Sequence, residues 1–370
     1  MTDLDLTAVV IPEDAQPDSP ATAPQLRECL RLEEAHNHAV WGNTDRCGTF
    51  GEALYYWRGN SYFERLLFLA SKNGMPVGSC SVEFSLKDNL DTAWINVLVA
   101  EDHRRRGIGR RLLQTAEEMA ADRGRRIFQG FCEEPAESAD GPGEMLHAKS
   151  GSGSLPLAVP SSIFARRAGY SLEQVETSSR LALPVPEELL GKLESGALEH
   201  AAGYSLVGWE GSCPEEFVAP YAELRGRMST DAPTAGLELE KVNWDTDRVR
   251  EEEQTWVKSG VEALVSAALH NSTGRLAAYT VLSYRQTKPH VVFQEDTLVA
   301  FGHRGHRLGM LVKIANIRRA QEAWPAARSV LTWNASENRH MLAINTSLGF
   351  KPSGFEGEWQ KRLDDPLYGT

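Results

Sequence analysis

Residues 97–114, VLVAEDHRRRGIGRRLLQ, return two hundred positions later as residues 297–314, TLVAFGHRGHRLGMLVKI. Leu98, Val99, Ala100, His103, Arg104 and Gly109 recur as Leu298, Val299, Ala300, His303, Arg304 and Gly309. An internal repeat constrains the fold more than composition does, because what the first copy builds the second must build too. With 370 residues there is room for two full cores, and the repeat spacing divides the chain near its middle. The expected organisation is a first domain over 1–183, a helical connector over 184–202 with prolines at its start, and a second domain over 203–370.

Each copy reads strand, loop, helix. An apolar run at 94–99 leads into a charged turn, then glycines, then an amphipathic helix from 110 onward. The loop Arg104, Arg105, Arg106, Gly107, Ile108, Gly109, Arg110 places side-chain-free residues at a helix N-terminus, where backbone N–H groups can close on a bulky anion such as a pyrophosphate. A P-loop needs Gly-Lys-Ser/Thr, and none follows Gly109. A dinucleotide fingerprint needs a third glycine, and Leu112 stands there. Arg-x-x-Gly-x-Gly after a valine-rich strand resembles the acetyl-CoA loop of GNAT-type N-acetyltransferases, Gln/Arg-x-x-Gly-x-Gly/Ala. After the second copy, SVLTWNASENRHMLAINTSLGFKPSG (329–354) resembles that family's next segment, N-x-x-(x)-(N/Y)-x-x-L-G-F. The chain as a whole is similar to the two-domain acetyltransferases of the mycothiol synthase type.

The resemblance implies an α/β fold of two consecutive GNAT domains, each a mixed, mostly antiparallel sheet flanked by helices, with acetyl-CoA held where two central strands splay. It implies that the cofactor arm runs along Val97, Leu98 and Val99 in copy one and Thr297, Leu298 and Val299 in copy two. The second pyrophosphate loop is Arg304, Gly305, His306, Arg307, Leu308 and Gly309, with Asn334 and Asn338 beside it. Arg307 stands where Gly107 stands, which is tolerable if its φ is negative, and its guanidinium can itself meet a phosphate. The tyrosine that the family often uses as acid for the leaving thiolate is replaced by Asn345, and by Ala165 in copy one. An amine of ordinary pKa is only about one part in a thousand neutral at pH 7, a cost of roughly 4 kcal/mol. A nearby carboxylate is therefore useful, and Glu295 or Asp296 is the candidate, since successive strand residues face opposite sides. The alternative for this pair is a solvated strand edge. Copy one has Ile95 and Asn96 there, with Glu83 on the preceding strand as substitute.

The net charge of −12 and pI near 5.4 argue against nucleic acid as partner. Five widely spaced cysteines without a C-x-x-C pair suggest neither disulfides nor a zinc site. No signal peptide or apolar run of membrane-spanning length is present, so a cytoplasmic monomer or homodimer without membrane contact is expected. Residues 133–161, rich in Gly, Pro, Ser and Glu, read as an insertion that replaces most of copy one's last helix and can be shortened without loss of fold. The leading expectation is an enzyme that acetylates a small-molecule amine, with chemistry in the C-terminal domain and the N-terminal one binding CoA or structural. The alternative is a degenerate acyl-CoA-binding sensor; a transferase acting on protein lysine or using a longer acyl group ranks third.

Overall fold

The computed structural model describes residues 4–139 and 143–363. These divide into two compact units: one takes the described residues through Val175 together with Ala235–Glu238 and those from Glu356 onward, the other Glu176–Thr234 and Leu239–Phe355.

In the first unit β1 (Leu4–Ala8), α1 (Pro24–Trp41) and α2 (Phe50–Trp57) precede β2 (Phe63–Lys72), β3 (Met75–Ser85), β4 (Thr92–Val99), α3 (Ile108–Asp122) and β5 (Ile127–Pro135). Strand order is β1-β2-β3-β4-β5, antiparallel except for the parallel β4–β5 pair. The β2–β3 hairpin turns on Asn73 and Gly74, both with positive φ, the pair whose twist matches that of the strands. Leu112 and Ile108 of α3 pack on Val77 and Cys80 on one face of the sheet. Leu26, Leu30 and Leu54 of α1 and α2 cover Leu67 and Leu69 on the other. Sequence reasoning passed over α2, although Thr49 and Glu52 form a complete capping box at its start.

The 133–161 stretch is not a structureless insertion. It contains the end of β5 and a small hairpin of β6 (Met145–His147) and β7 (Ser154–Pro156), followed by a full helix, α4 (Pro160–Arg167), and a long strand, β8 (Ser171–Ala182). Leu155 is fully buried, and a Cβ on Gly357 would collide with its side chain. The Lys149 N–H donates to the Leu172 carbonyl at 3.0 Å, and its ammonium pairs with the buried Glu173 at 2.7 Å. The expectation that this stretch can be shortened freely is therefore corrected: composition hid one apolar anchor that packs. Leu155→Ala is expected to destabilise the first unit by about 2 to 5 kcal/mol, read as a lower urea midpoint at unchanged slope. A midpoint equal to wild type would show that the hairpin is dispensable.

In the second unit α5 (Glu187–Leu198), at the residues expected to connect the copies, precedes β9 (Tyr204–Glu210), α6 (Glu215–Gly226), α7 (Met228–Asp231) and α8 (Thr246–Ser259). Then come β10 (Val261–His270), β11 (Arg275–Arg285), β12 (Val291–Val299), α9 (Leu308–Ala323), β13 (Ser329–Ala335), α10 (Arg339–Leu348) and the start of β14 (Lys351–Arg362), whose residues from Glu356 belong to the first unit. Residues 176–182 of β8 pair antiparallel with β13, and the order runs on as β13-β12-β11-β10-β9, again with one parallel pair, β12–β13. Leu308, Leu311 and Val312 of α9 pack on Ala277 and Ala278. Tyr221 and Val249 of α6 and α8 pack on Val265 and Tyr279 of the opposite face. Among the described residues no helix is long and apolar enough to cross a membrane.

Candidate active site

In each unit the parallel strands hold together for three residues and then part. β4 meets β5 at Thr92↔Ile127, Ala93↔Phe128 and Trp94↔Gln129 only. β12 meets β13 at Val291↔Ser329, Val292↔Val330 and Phe293↔Leu331 only. Beyond those pairs Val97, Leu98 and Val99, like Thr297, Leu298 and Val299, have one strand edge without a strand partner, as an amide-bearing ligand needs. At the first splay the strands pass so closely that a Cβ on Gly130 would stand 2.5 Å from the Ile95 carbonyl oxygen.

The two loops share one backbone course. Ala100 and Ala300 have φ of −53° and −55°, Arg104 and Arg304 of −66° and −68°. Positions 105 and 107, and equally 305 and 307, take positive φ: Arg105 61° and Gly107 82°, Gly305 87° and Arg307 51°. Each copy thus has one glycine and one arginine at its two left-handed positions, in opposite order. The condition that Arg307 keep a negative φ is not met; the loop holds the arginine in a conformation costing about 1 to 2 kcal/mol for a residue with a Cβ. Its guanidinium donates to the Gly196 carbonyl at 3.2 Å.

Side-chain commitment separates the copies. Arg304 donates to the Asp231 carbonyl at 2.7 Å, and Asp231 accepts from the Phe301 N–H. In copy one Arg104 donates to the Val99 carbonyl and lies 3.2 Å from the His36 ring. The exposed side chains of Arg105, Arg106, Arg110 and Arg111, however, make no hydrogen bond or ion pair among the described residues. The N–H groups of residues 105–110 have no backbone partner either, and Arg111 is the first to bond back, to the Gly107 carbonyl. The last helices cover both loops: a Cβ on Gly109 would meet Phe164 of α4 at an ordinary 3.4 Å, and one on Gly309 would stand 3.1 Å from Ile344 of α10, which would have to give slightly.

The strands differ as well. β4 runs beside β3 in unbroken register from Gly78↔Val99 to Glu83↔Trp94. β12 slips against β11, passing from Thr280↔Thr297 to Leu282↔Gln294, so that Glu295 and Asp296 oppose the single residue Val281. This is a β-bulge, which re-aims side chains and interrupts the ladder. Asp296 accepts from Arg225 Nη2 and the Tyr279 hydroxyl, both at 3.2 Å, and Glu295 accepts from the Ser283 hydroxyl. In copy one Glu83 is taken up by Arg65 and Tyr56. Asn345 is buried and donates to Asn334 Oδ1 at 2.6 Å, leaving its own Oδ1 without a partner; Asn338 caps α10 through the Met341 N–H.

Residues 32–139 match the acetyltransferase (GNAT) family. The fold of the whole chain matches a tandem GNAT protein from the clavulanic acid biosynthesis pathway, with a TM-score of 0.72 and 24% identity over 97% of this chain and 98% of that one. Residues 32–139 thus carry the family's match, and the chain as a whole has the fold of a tandem GNAT protein. A GCN5-related N-acetyltransferase from Sphaerobacter thermophilus also matches, with a TM-score of 0.60 and 14% identity over 97% and 95% of the two chains. No curated protein matches. The match over residues 32–139 supports an N-acetyltransferase, and that family generally binds acetyl-CoA.

Several buried polar groups carry no sequence signature. Glu176 lies directly across from Ala335 at the splayed end of β13, and burial, reinforced by Glu337, pushes its carboxyl up to about 7. Burial also raises Glu134 on β5, which accepts from the Ser161 hydroxyl. Lys313 of α9 is 1% exposed and, among the described residues, has no hydrogen bond or counter-ion, only the Phe350 ring at 5.4 Å; burial lowers its pKa to about 7, and its counterpart in copy one is Leu113. Between about pH 7 and 10.5 the unfolded chain therefore binds the extra proton, so stability rises with pH across that window and the full penalty stands below it. Lys313→Leu is expected to stabilise the protein at pH 7 by on the order of 4 kcal/mol and to flatten that dependence, measured by denaturant unfolding at pH 7 and 9.5. An unchanged slope with pH would mean the lysine is solvated.

Proposed function

We propose that this protein moves the acetyl group of acetyl-CoA to the amine of a small molecule, with the chemistry in the C-terminal copy and the N-terminal copy holding CoA. The observation that carries this division is the bulge at Glu295 and Asp296, which β12 has and β4 lacks. The cofactor fits both loops by backbone, and fits the first better by charge, since four uncommitted guanidiniums surround the unpaired N–H groups at the start of α3. When bound, acetyl-CoA supplies the thioester whose C–S bond breaks as the new C–N bond forms, leaving a thiol and releasing the amine's proton. The chain's part is to hold the arm along β12 and to receive that proton on a carboxylate at the bulge, Asp296 or Glu295. Arg225 and Tyr279 orient Asp296 toward the face that carries α6 and α8.

A sensor without turnover is the second reading, favoured by Asn345 and Ala165 at the position where the family often has an acid and by the engagement of Arg304 and Arg307 with backbone carbonyls. Steady thiol release from acetyl-CoA with a panel of small amines supports the transferase; saturable CoA binding with no amine-dependent release supports the sensor.

A further inference from the structure

An open cavity of about 450 Å³ lies in the second unit between α6 and the chain entering α8. Ala219, Ala222, Val242 and the Trp244 indole give it apolar surface. Its acids are already engaged: Glu223 accepts from Arg227 at 3.2 Å and Arg275 at 3.5 Å, and Asp245 caps α8 by accepting the Arg248 N–H at 2.8 Å. Its donors are not. Lys241 is exposed and makes no hydrogen bond or ion pair among the described residues, and the same holds for the Thr246 hydroxyl and for the N–H groups of Thr246 and Asp247 at the start of α8. A cavity whose acids are occupied and which keeps open donors beside them selects an anion, and its apolar wall selects a body that can lie on an indole.

The position matters as much as the lining. The Arg225 guanidinium stacks on the Trp244 ring, 3.8 Å from its centroid, and reaches Asp296 at 3.2 Å. Trp244 is thus a wall of the cavity and, on its other contact, the support of the arginine that holds the bulge carboxylate. We propose that this cavity is the acceptor subsite of the C-terminal copy and takes an amine that also carries a carboxylate on an apolar or aromatic body. The carboxylate meets Lys241 and the start of α8, the body lies on Trp244, and the amine points toward Asp296. The inference rests on the reading that the C-terminal copy does the chemistry. In a chain of net charge −12 such a substrate is not drawn in by the overall field, so recognition depends on these local donors.

The test compares 4-(aminomethyl)benzoate with 4-(aminomethyl)benzamide, which have nearly the same shape and differ in charge. The kcat/KM of the benzoate is expected to exceed that of the benzamide by about fivefold, the scale of one exposed ion pair, and Lys241→Glu is expected to abolish the difference. Equal values in the wild type, or a preference that survives Lys241→Glu, overturns the subsite while acetylation of both amines leaves the functional reading standing. If neither amine is acetylated, calorimetry with the benzoate alone decides. Saturable binding weakened by Lys241→Glu upholds the carboxylate site and removes the functional reading; no binding overturns the site.

Discussion

Gly107→Asp is expected to abolish CoA binding by the N-terminal copy while leaving the protein folded. Gly107 has φ of 82° and precedes the first residue of α3 in a left-handed conformation, and a Cβ there meets nothing within 4 Å. Aspartate is among the residues that adopt that conformation at small cost, so the backbone can keep its course. The new carboxylate, however, stands beside the unpaired N–H groups of residues 105–110, where the pyrophosphate would lie. Two like charges about 4 Å apart near a protein surface repel by about 4 kcal/mol. Discounted for the exposure of the loop, this still predicts a loss of at least about a hundredfold. Gly107→Asn, of similar size and without charge, should keep most of the affinity, which separates repulsion from strain. Calorimetry that shows unchanged affinity and stoichiometry in the aspartate variant would remove CoA from this loop.

The second large effect concerns the bulge. Asp296→Asn is expected to lower the rate of acetyl transfer by roughly 10² to 10⁴, and Glu295→Gln to do so only if that side chain is the acceptor of the proton. The loss should shrink at high pH, because the amine then arrives neutral without help. Asp296 is held by Arg225 and Tyr279, so the asparagine variant also leaves a buried arginine with one partner fewer, Glu252 remaining. A melting scan on the same sample tells a lost base from a loosened site. Full activity at pH 7 in both variants, with activity lost on replacing Glu83 instead, would move the chemistry to the N-terminal copy.

Much of the fold was legible because it follows from local rules. Asn73-Gly74 closes the β2–β3 hairpin, and α1 begins at a proline and is capped by Gly42, both signals carried by neighbouring residues. The loop from Arg104 to Arg110 and its copy from Arg304 to Gly309 stand at helix starts as their spacing required. Less of the site was legible. Alternation along β12 gave no sign of the bulge, since the extra residue becomes visible only against the register of β11. That shift also displaces the one-to-one correspondence of Glu295 and Asp296 with Ile95 and Asn96. The low-complexity stretch concealed Leu155, because averaging over glycines, serines and prolines dilutes a single apolar side chain.

The repeat, the strand–loop–helix order and the glycine loops were determined by the sequence alone, because a period of two, a helical face and a turn residue are properties of neighbours along the chain. Tertiary structure alone decided which charges are free. Arg225 finds Asp296 and Trp244, Arg307 finds Gly196, and Arg304 finds Asp231 across separations that no local pattern encodes, whereas the side chains of Arg105, Arg106, Arg110 and Arg111 find no partner among the described residues. An arginine reads the same in a sequence whether its guanidinium is buried in an ion pair or open to a phosphate, and only the fold brings up, or withholds, the partner that makes the difference.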